Sequence, residues 1–509
     1  MAARETIIEL LNHGEDQAIA IAAPDRPPLS YADLREQVAK TVQELNRFGI
    51  SRNDAVAIVL PNGPEMASAF ISIAGGATAA PLNPDYTADE FRFFLADLET
   101  RLLVVADGVE TPALEVAEAS GIRIARLSFE TAAPAGTFGL QSAPHGEPVQ
   151  SKARGTTERD DVALVLHTSG TTSRPKIVPL TQSNICNSAF NIAASLALTA
   201  DDRCLNIMPL FHIHGLIAAV LSTLQAGASI MCSPGFNALR FFALMKEFKP
   251  TWYTAVPTMH QAILARAARN TDVIRASRMR LIRSSSASLP PRVMAELERT
   301  FAAPVIEAYG MTEAAHQMAS NPLPPAARKS GTVGIAAGPE IGIMDEGNTI
   351  LPVGRVGEIV IRGSNVTPGY QNNPEANATA FTDGWFRTGD QGCLDDDGYL
   401  RLTGRLKEII NRGGEKISPR EVDEVLLNHP AIAQVVTFAV PHDKLGEDVV
   451  AAVVLEPGAQ ATEQDIRQFA SERLNAMKVP RKVFFLDEIP KGATGKLQRI
   501  GLAKKLGLG

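Results

Sequence analysis

Four hydroxyls, one glycine and two cations crowd the segment Thr168 to Lys176, inside the run LHTSGTTSRPKIVPLTQ (Leu166 to Gln182). They are Thr168, Ser169, Gly170, Thr171, Thr172, Arg174 and Lys176, and they follow an apolar stretch, Val162 to Leu166, that reads as a strand. Hydroxyls, backbone N–H groups and positive charge on a turn suit an oligophosphate. The spacing G-x-x-x-x-G-K-[ST] of an ordinary phosphate-loop nucleotidase is absent from the chain. Taken alone, a Ser/Thr/Gly turn is usually just a loop. Four later segments add chemistry in order: EAYGMTEA (Glu307 to Ala314), WFRTGD (Trp385 to Asp390), GRLKEIINRGGEKISP (Gly404 to Pro419) and PKGATGK (Pro490 to Lys496).

The elements that must position these segments alternate between helix and strand. Ser30 with Asp33 opens a helix as a capping pair, and Leu34, Val38, Val42 and Leu45 form its apolar face. Ala55 to Leu60 and Leu102 to Val105 are short apolar runs, hence buried strands. Such alternation implies parallel sheets covered by helices. Ser142 to Thr157 reads as a connecting loop, and the α/β rhythm resumes from Asp161 to about Asn321. From Gly331 to Leu402 the runs shorten and are cut by glycine, as in a small β-barrel or curled sheet. After Arg405 to Glu408, helices at 419–427 and 463–474 and strands at 435–440, 449–455 and 483–485 predict a small α+β domain. The expected architecture is α/β: a large N-terminal domain (1–404) of two helix-covered βαβ sheets plus a small β-barrel, a boundary at 405–407, and a small α+β domain (408–509).

At 509 residues there is material for more than one core. The apolar content of 45%, charged content of 21% and net charge of −7 are those of a soluble protein. That balance speaks against a nucleic-acid or anionic-membrane binder, so an anionic substrate needs a local basic site. Four cysteines without C-x-x-C spacing are expected as reduced thiols, and neither a secretory signal nor a peroxisomal tripeptide is visible, so a cytoplasmic location is expected. Residues 204–239 lack Asp, Glu, Lys and Arg, long enough to span a bilayer. Pro209, His212, His214, Gly215, Gln225, Gly227, Pro234, Gly235 and Asn237 interrupt that stretch, which predicts a buried strand–loop–helix–strand passage instead.

The ordered series of five motifs resembles the adenylate-forming superfamily of acyl-CoA synthetases, luciferases and peptide-synthetase adenylation domains, over essentially the whole chain. The resemblance implies that a carboxylate attacks the α-phosphate of ATP to give acyl-AMP and pyrophosphate. A thiol, usually that of coenzyme A, then displaces AMP. It assigns phosphate binding to Thr168, Ser169, Gly170, Thr171, Thr172 and Lys176, with Ile177 where many relatives carry glycine. Tyr309 would lie against adenine, Thr312 would bond the α-phosphate, and Glu313 would hold Mg²⁺. Asp390 would accept the ribose hydroxyls, Arg405 would contact ribose or phosphate, and Ser285 belongs to a serine-rich stretch where relatives have a Gly/Ala-rich adenine loop. Lys496 would stabilise the adenylation transition state. Lys407 sits at the hinge position, Gly413 and Gly414 at the pantetheine approach, and His212 at a gate to the thiol tunnel.

The acid must be read from local residues. His214, His260, Ser285, Ser286 and His316 suggest a small polar acid whose far end needs partners, and no arginine in the pocket motifs faces a second carboxylate in an obvious way. The strings FHIHGL, TWYTAVPTMHQ, SASLP, MASNPLP and INRGGEKISP are similar to those of the oxalate–CoA ligases of plants and fungi, including their peroxisomal coenzyme A synthetase-like members. The resemblance implies oxalate first, and short or medium-chain fatty acids or other small carboxylates next. A peptide-synthetase module, a luciferase-type monooxygenase and a nucleotide-binding protein without catalysis are the rivals. The expected partners are the acid, ATP and coenzyme A, for a monomer or homodimer, with a lysine acetyltransferase acting on an exposed Lys496 as a further expectation.

Overall fold

The computed structural model describes residues 5–142, 155–168, 175–492 and 496–508. Two mostly parallel sheets form its larger part. The first runs, in strand order, Ile335–Ala336, His316–Ser320, Val305–Met311, Leu281–Ser284, Trp252–Ala255, Arg203–Asn206, Ser229–Cys232, Ile19–Ala22 and Leu29–Ser30. The second runs Gly139–Ser142, Arg123–Ser128, Leu102–Ala106, Ala55–Val59, Thr78–Pro81, Val162–His167 and Ile177–Thr181. In both, antiparallel pairs occur only toward the edges, because helical crossovers join the central strands in parallel.

The helix Tyr31–Arg47 shows how the sequence writes these elements. The Ser30 hydroxyl accepts from the Asp33 amide at its start, and Leu34, Val38, Val42 and Leu45 are buried on its core face. Loss of such a cap costs about 1 kcal/mol. The uncharged passage also folds as expected: strand Arg203–Asn206, a π-helical stretch His214–Leu221 continued by Ser222–Gln225, and strand Ser229–Cys232. His214–Leu221 is wholly buried in protein, and among the described residues no helix is long and apolar enough to cross a membrane. All four cysteines are free thiols.

The glycine-cut region forms a five-stranded antiparallel sheet (Glu340–Met344, Gly357–Arg362, Phe381–Thr382, Trp385–Leu394, Leu400–Arg405). Its strand order does not close on itself, so the region expected as a small β-barrel is an open sheet.

A smaller domain follows, with strands Ile410–Arg412, Glu415–Ile417, Ile432–His442, Gly446–Leu455 and Lys482–Phe485 and helices Pro419–Leu426 and Glu463–Ser471. The second helix stops short of Leu474, because Asn475 caps a separate turn, Ala476–Lys478. The small domain meets the large one through a few polar contacts. Arg420 donates to the Ser288 hydroxyl at 2.9 Å and Gln261 to the Ala433 carbonyl at 3.1 Å.

Candidate active site

The parallel strands Val162–His167, Trp252–Ala255, Leu281–Ser284 and Val305–Met311 deliver the motif residues at their carboxyl ends, where open α/β sheets bind ligands. At the phosphate loop, the Thr168 hydroxyl accepts from the Lys176 amide at 3.0 Å and the Thr168 amide donates to the Lys176 carbonyl at 2.9 Å. The two ends of the loop are thus clamped together. Ser169, Gly170, Thr171, Thr172 and Arg174 lie outside the described residues. The Lys176 ammonium sits 4.3 Å from the centre of the Tyr370 ring, and the Tyr370 hydroxyl donates to Glu313 Oε1 at 2.9 Å. Tyr370 therefore joins the phosphate-loop cation to the carboxylate of the Thr312–Ala314 turn, a link not visible in the motifs themselves.

Burial pushes the Glu313 carboxyl upward, against the pull of Tyr370, Lys176 and Arg405. Among the described residues, no group of three or more His, Cys, Asp or Glu is arranged to hold a metal ion. A lone buried carboxylate beside a phosphate-loop lysine fits Mg²⁺ that arrives with a triphosphate, an ion that uses few protein ligands.

Tyr309 and Asp390 meet directly. The Tyr309 hydroxyl donates to Asp390 Oδ2 at 2.6 Å, and Arg405 Nε donates to Oδ1 at 2.8 Å across paired strands. Asp390 beside Arg405 drives the guanidinium further toward its charged form. The Ser285 hydroxyl donates to the Ala308 carbonyl at 2.9 Å, so that oxygen is engaged by backbone.

The polar pocket gathers around His214. Its Nε2 lies 2.6 Å from the Thr254 hydroxyl and its Nδ1 lies 3.0 Å from the Ser286 hydroxyl. Ser286 and His316 both take left-handed backbone conformations, φ 74° and 99°, as at strained functional turns. A Cβ on Gly310 would come within 1.7 Å of the His316 carbonyl, so only glycine permits that turn. The His214 and His316 rings stand 5.0 Å apart, and the His214 amide donates to His212 Nδ1 at 3.2 Å. His260 lies elsewhere. It pairs with the Tyr253 hydroxyl at 3.2 Å, and Tyr253 and Thr254 point to opposite faces of one strand. His260 is therefore removed from the pocket group.

An arginine does occupy this pocket, contrary to the expectation from the motifs. Arg283 is fully buried on the strand beside Thr254, with which it is in register. Its guanidinium reaches the Thr254 hydroxyl at 3.4 Å, the Gln317 side-chain oxygen at 3.1 Å and His316 Nδ1 at 3.5 Å, while Nε is unpartnered. Among the described residues no carboxylate pairs with it, and burial lowers its pKa to about 9. Because Arg283 can only donate, His316 Nδ1 accepts, leaving Nε2–H as the imidazole's donor.

Lys496 reaches the same region. Burial lowers its pKa to about 8, Arg405 adding to that and Asp390 opposing it. Lys496 in turn helps to hold His212, His214 and His316 neutral, although burial is the main cause for each.

Residues 11–371 match the AMP-binding enzyme family, and residues 421–496 match the AMP-binding enzyme C-terminal domain. The chain belongs to the AMP-binding enzyme family. An oxalate–CoA ligase of Arabidopsis thaliana is 46% identical over 485 residues, 94% of either chain. An oxalate–CoA ligase of Saccharomyces cerevisiae is 43% identical over 515 residues, covering 96% of this chain and 94% of that one. ATP-bound MatB of Rhodopseudomonas palustris superposes with a TM-score of 0.87 at 28% identity, over 98% of both chains. This AMP-binding enzyme is an ATP-dependent, AMP-forming acid–CoA ligase.

In this AMP-binding enzyme the structure brings Lys176, Tyr309, Thr312, Glu313, Asp390, Arg405 and Lys496 to one end of the two large sheets. Lys496 is half-buried there, where an exposed side chain was expected. Lys407 is exposed on the short turn Leu406–Glu408, near enough to Lys176 to disfavour its charge. Gly413 and Gly414 form the two-residue turn of a hairpin, with φ 62° and 92°. Those angles account for both glycines as a tight turn. Arg283 and Tyr370 were missed. The signal for Arg283 was an arginine directly after the apolar pair Leu281-Ile282 in a short strand, LIRS; for Tyr370 there was none.

Proposed function

We propose that this acid–CoA ligase activates oxalate, forming oxalyl-AMP and then oxalyl-CoA, with release of pyrophosphate and AMP. The supporting observation is Arg283, a buried guanidinium without a carboxylate partner. A lone buried cation is costly unless an anion joins it. Arg283 lies 3.5 Å from His316 Nδ1, and Lys496 is among the charges that disfavour protonation of His214 and His316. In this reading a short dianion sets one carboxylate toward Arg283 and the other toward Lys496. The oxalate–CoA ligases at 46% and 43% identity favour the same substrate.

In this reading Thr168, Ser169, Gly170, Thr171, Thr172 and Lys176 hold the β- and γ-phosphates. Tyr309 packs on adenine, with the Ser285 backbone along the same wall. Asp390 accepts from the ribose hydroxyls and Arg405 contacts ribose or phosphate. Thr312 bonds the α-phosphate. Glu313 would hold Mg²⁺, and that ion would supply neutralisation of phosphate charge. One oxalate oxygen bonds to the α-phosphorus as the bond to pyrophosphate breaks. Lys496 stabilises the charge shared between the incoming carboxylate and the α-phosphate. His214, Ser286 and the His316 Nε2–H orient the acid, and His212 gates the thiol approach. The lid (408–509) then turns about the hinge 405–407, pivoting at Lys407 against the domain 1–404, and brings Gly413 and Gly414 toward pantetheine. The coenzyme A thiolate attacks the acyl carbon and AMP leaves with the bonding pair. Acetylation of Lys496 would erase its charge, and its half-buried position means that the lid must turn before an acetyltransferase reaches it.

The test is ATP consumption with coenzyme A across oxalate, malonate, acetate, hexanoate and an aryl acid. Oxalate should be used with the highest kcat/KM. Preference for hexanoate or the aryl acid would overturn the oxalate reading and leave the ligase assignment standing.

A further inference from the structure

The segment that carries Lys496 is anchored on both sides. The Gly492 amide donates to the Lys496 carbonyl at 2.8 Å, and the Gln498 amide donates to the Pro490 carbonyl at 2.9 Å. Ile489, Leu497 and Leu502 pack into an apolar cluster with Val436, Phe438, Val450 and Ala452. That packing gives the segment its stability and leaves one feature unexplained. Arg499, three positions after Lys496, is a largely buried cation with three separate anchors. Its Nε lies 2.9 Å from Glu408, one terminal nitrogen donates to Asp423 at 2.8 Å, and the other donates to the Thr437 carbonyl. Asp423 is itself fixed, its Oδ1 accepting from the Thr437 amide at 2.6 Å.

The three anchors come from different parts of the small domain. Glu408 follows Lys407 in the short turn at the hinge, Asp423 lies on the helix Pro419–Leu426, and Thr437 lies in the long strand Ile432–His442. Buried ion pairs of this kind add little net stability compared with apolar packing. What a planar, multiply bonded guanidinium supplies is fixed geometry.

We propose that Arg499 is a positioning residue for adenylation: it ties the Lys496 segment to the residue beside the pivot, so that rotation of the lid moves the lysine as a rigid arm. This rests on Lys496 being the adenylation cation. A slack arm would misplace the ammonium relative to the α-phosphate, and displacements of about 1 Å cost on the order of 100-fold in rate. Binding of ATP and acid by the large domain would be left intact.

The test is acid-dependent pyrophosphate exchange by the full-length chain, with Arg499→Ala, Arg499→Lys, Glu408→Gln and Lys496→Ala measured in parallel. Arg499→Ala should lose about 30-fold or more in kcat, within that same range, with KM for ATP and acid changed less than about threefold. Added guanidinium should restore part of the loss, and Arg499→Lys and Glu408→Gln should show the same kcat-only pattern more weakly. Thermal melting separates these losses from unfolding, and Glu408→Gln serves should Arg499→Ala not fold. A kcat close to that of the unaltered enzyme in Arg499→Ala and Glu408→Gln, alongside a large loss in Lys496→Ala, would overturn the Arg499 proposal alone. Losses that appear equally in KM, or that guanidinium does not restore, would also overturn it. Normal exchange in Lys496→Ala would remove the underlying reading instead.

Discussion

The Tyr309 hydroxyl and Asp390 form a 2.6 Å hydrogen bond that ties the residue proposed to face adenine to the one proposed to accept ribose. Arg405 closes the other side of the same carboxylate. The three groups therefore orient one another, and the carboxylate geometry depends on the phenol.

Tyr309→Phe keeps the ring and removes only that donor. Hydrogen bonds to charged groups are worth about 1.5–3 kcal/mol, so KM for ATP should rise about 10-fold or more. The change in kcat should be smaller, because no reacting atom is touched. Initial-rate kinetics in ATP checks this; an unchanged KM would show that Asp390 is held without Tyr309.

Lys496→Ala removes a charge used mainly in the transition state. The loss should be about 3 kcal/mol or more, near the cost of one oxyanion donor, which is more than 100-fold in the pyrophosphate exchange rate. Normal exchange in this variant would contradict its assigned role.

The same lysine sets a pH limit. Its pKa is lowered to about 8, so the useful ammonium is present below that pH and is lost as pH rises through it. The alkaline limb of kcat/KM should therefore fall near pH 8, since that parameter reports the free enzyme. Bound ATP and acid bring negative charge, so the limb in kcat should lie at higher pH. A flat profile to pH 10 in both parameters would contradict a burial-lowered lysine.

The sequence and the fold agree best where chemistry is written in contiguous motifs. The joint placement of Tyr309, Thr312, Glu313 and Asp390 is legible because contiguous positions on a strand end or turn bring them together. The capped helix Tyr31–Arg47 is legible because its cap and apolar face are local. The partners of Arg283 were illegible because they come from Thr254 on the adjacent strand and from His316 and Gln317 two strands away. His260 looked like a pocket residue until strand alternation placed Tyr253 and its partner on the opposite face. Tyr370 acts across two segments far apart in the chain, so no spacing could reveal it.

Arg283→Leu should raise the melting temperature of the free protein, because it removes a buried cation that lacks a counter-ion. The gain should vanish in saturating oxalate, which stabilises only the unaltered protein by binding. A lower melting temperature would mean that Thr254, Gln317 and His316 alone satisfy the guanidinium.

The central claim is that the pocket recognises a second negative charge. The most direct measurement is the ratio of kcat/KM for oxalate to that for acetate, in the unaltered enzyme and in Arg283→Leu. Truncating one partner of a buried charge pair costs about 2–5 kcal/mol, so the ratio should collapse by 30-fold or more while acetate turnover changes little. An unchanged ratio would contradict the account.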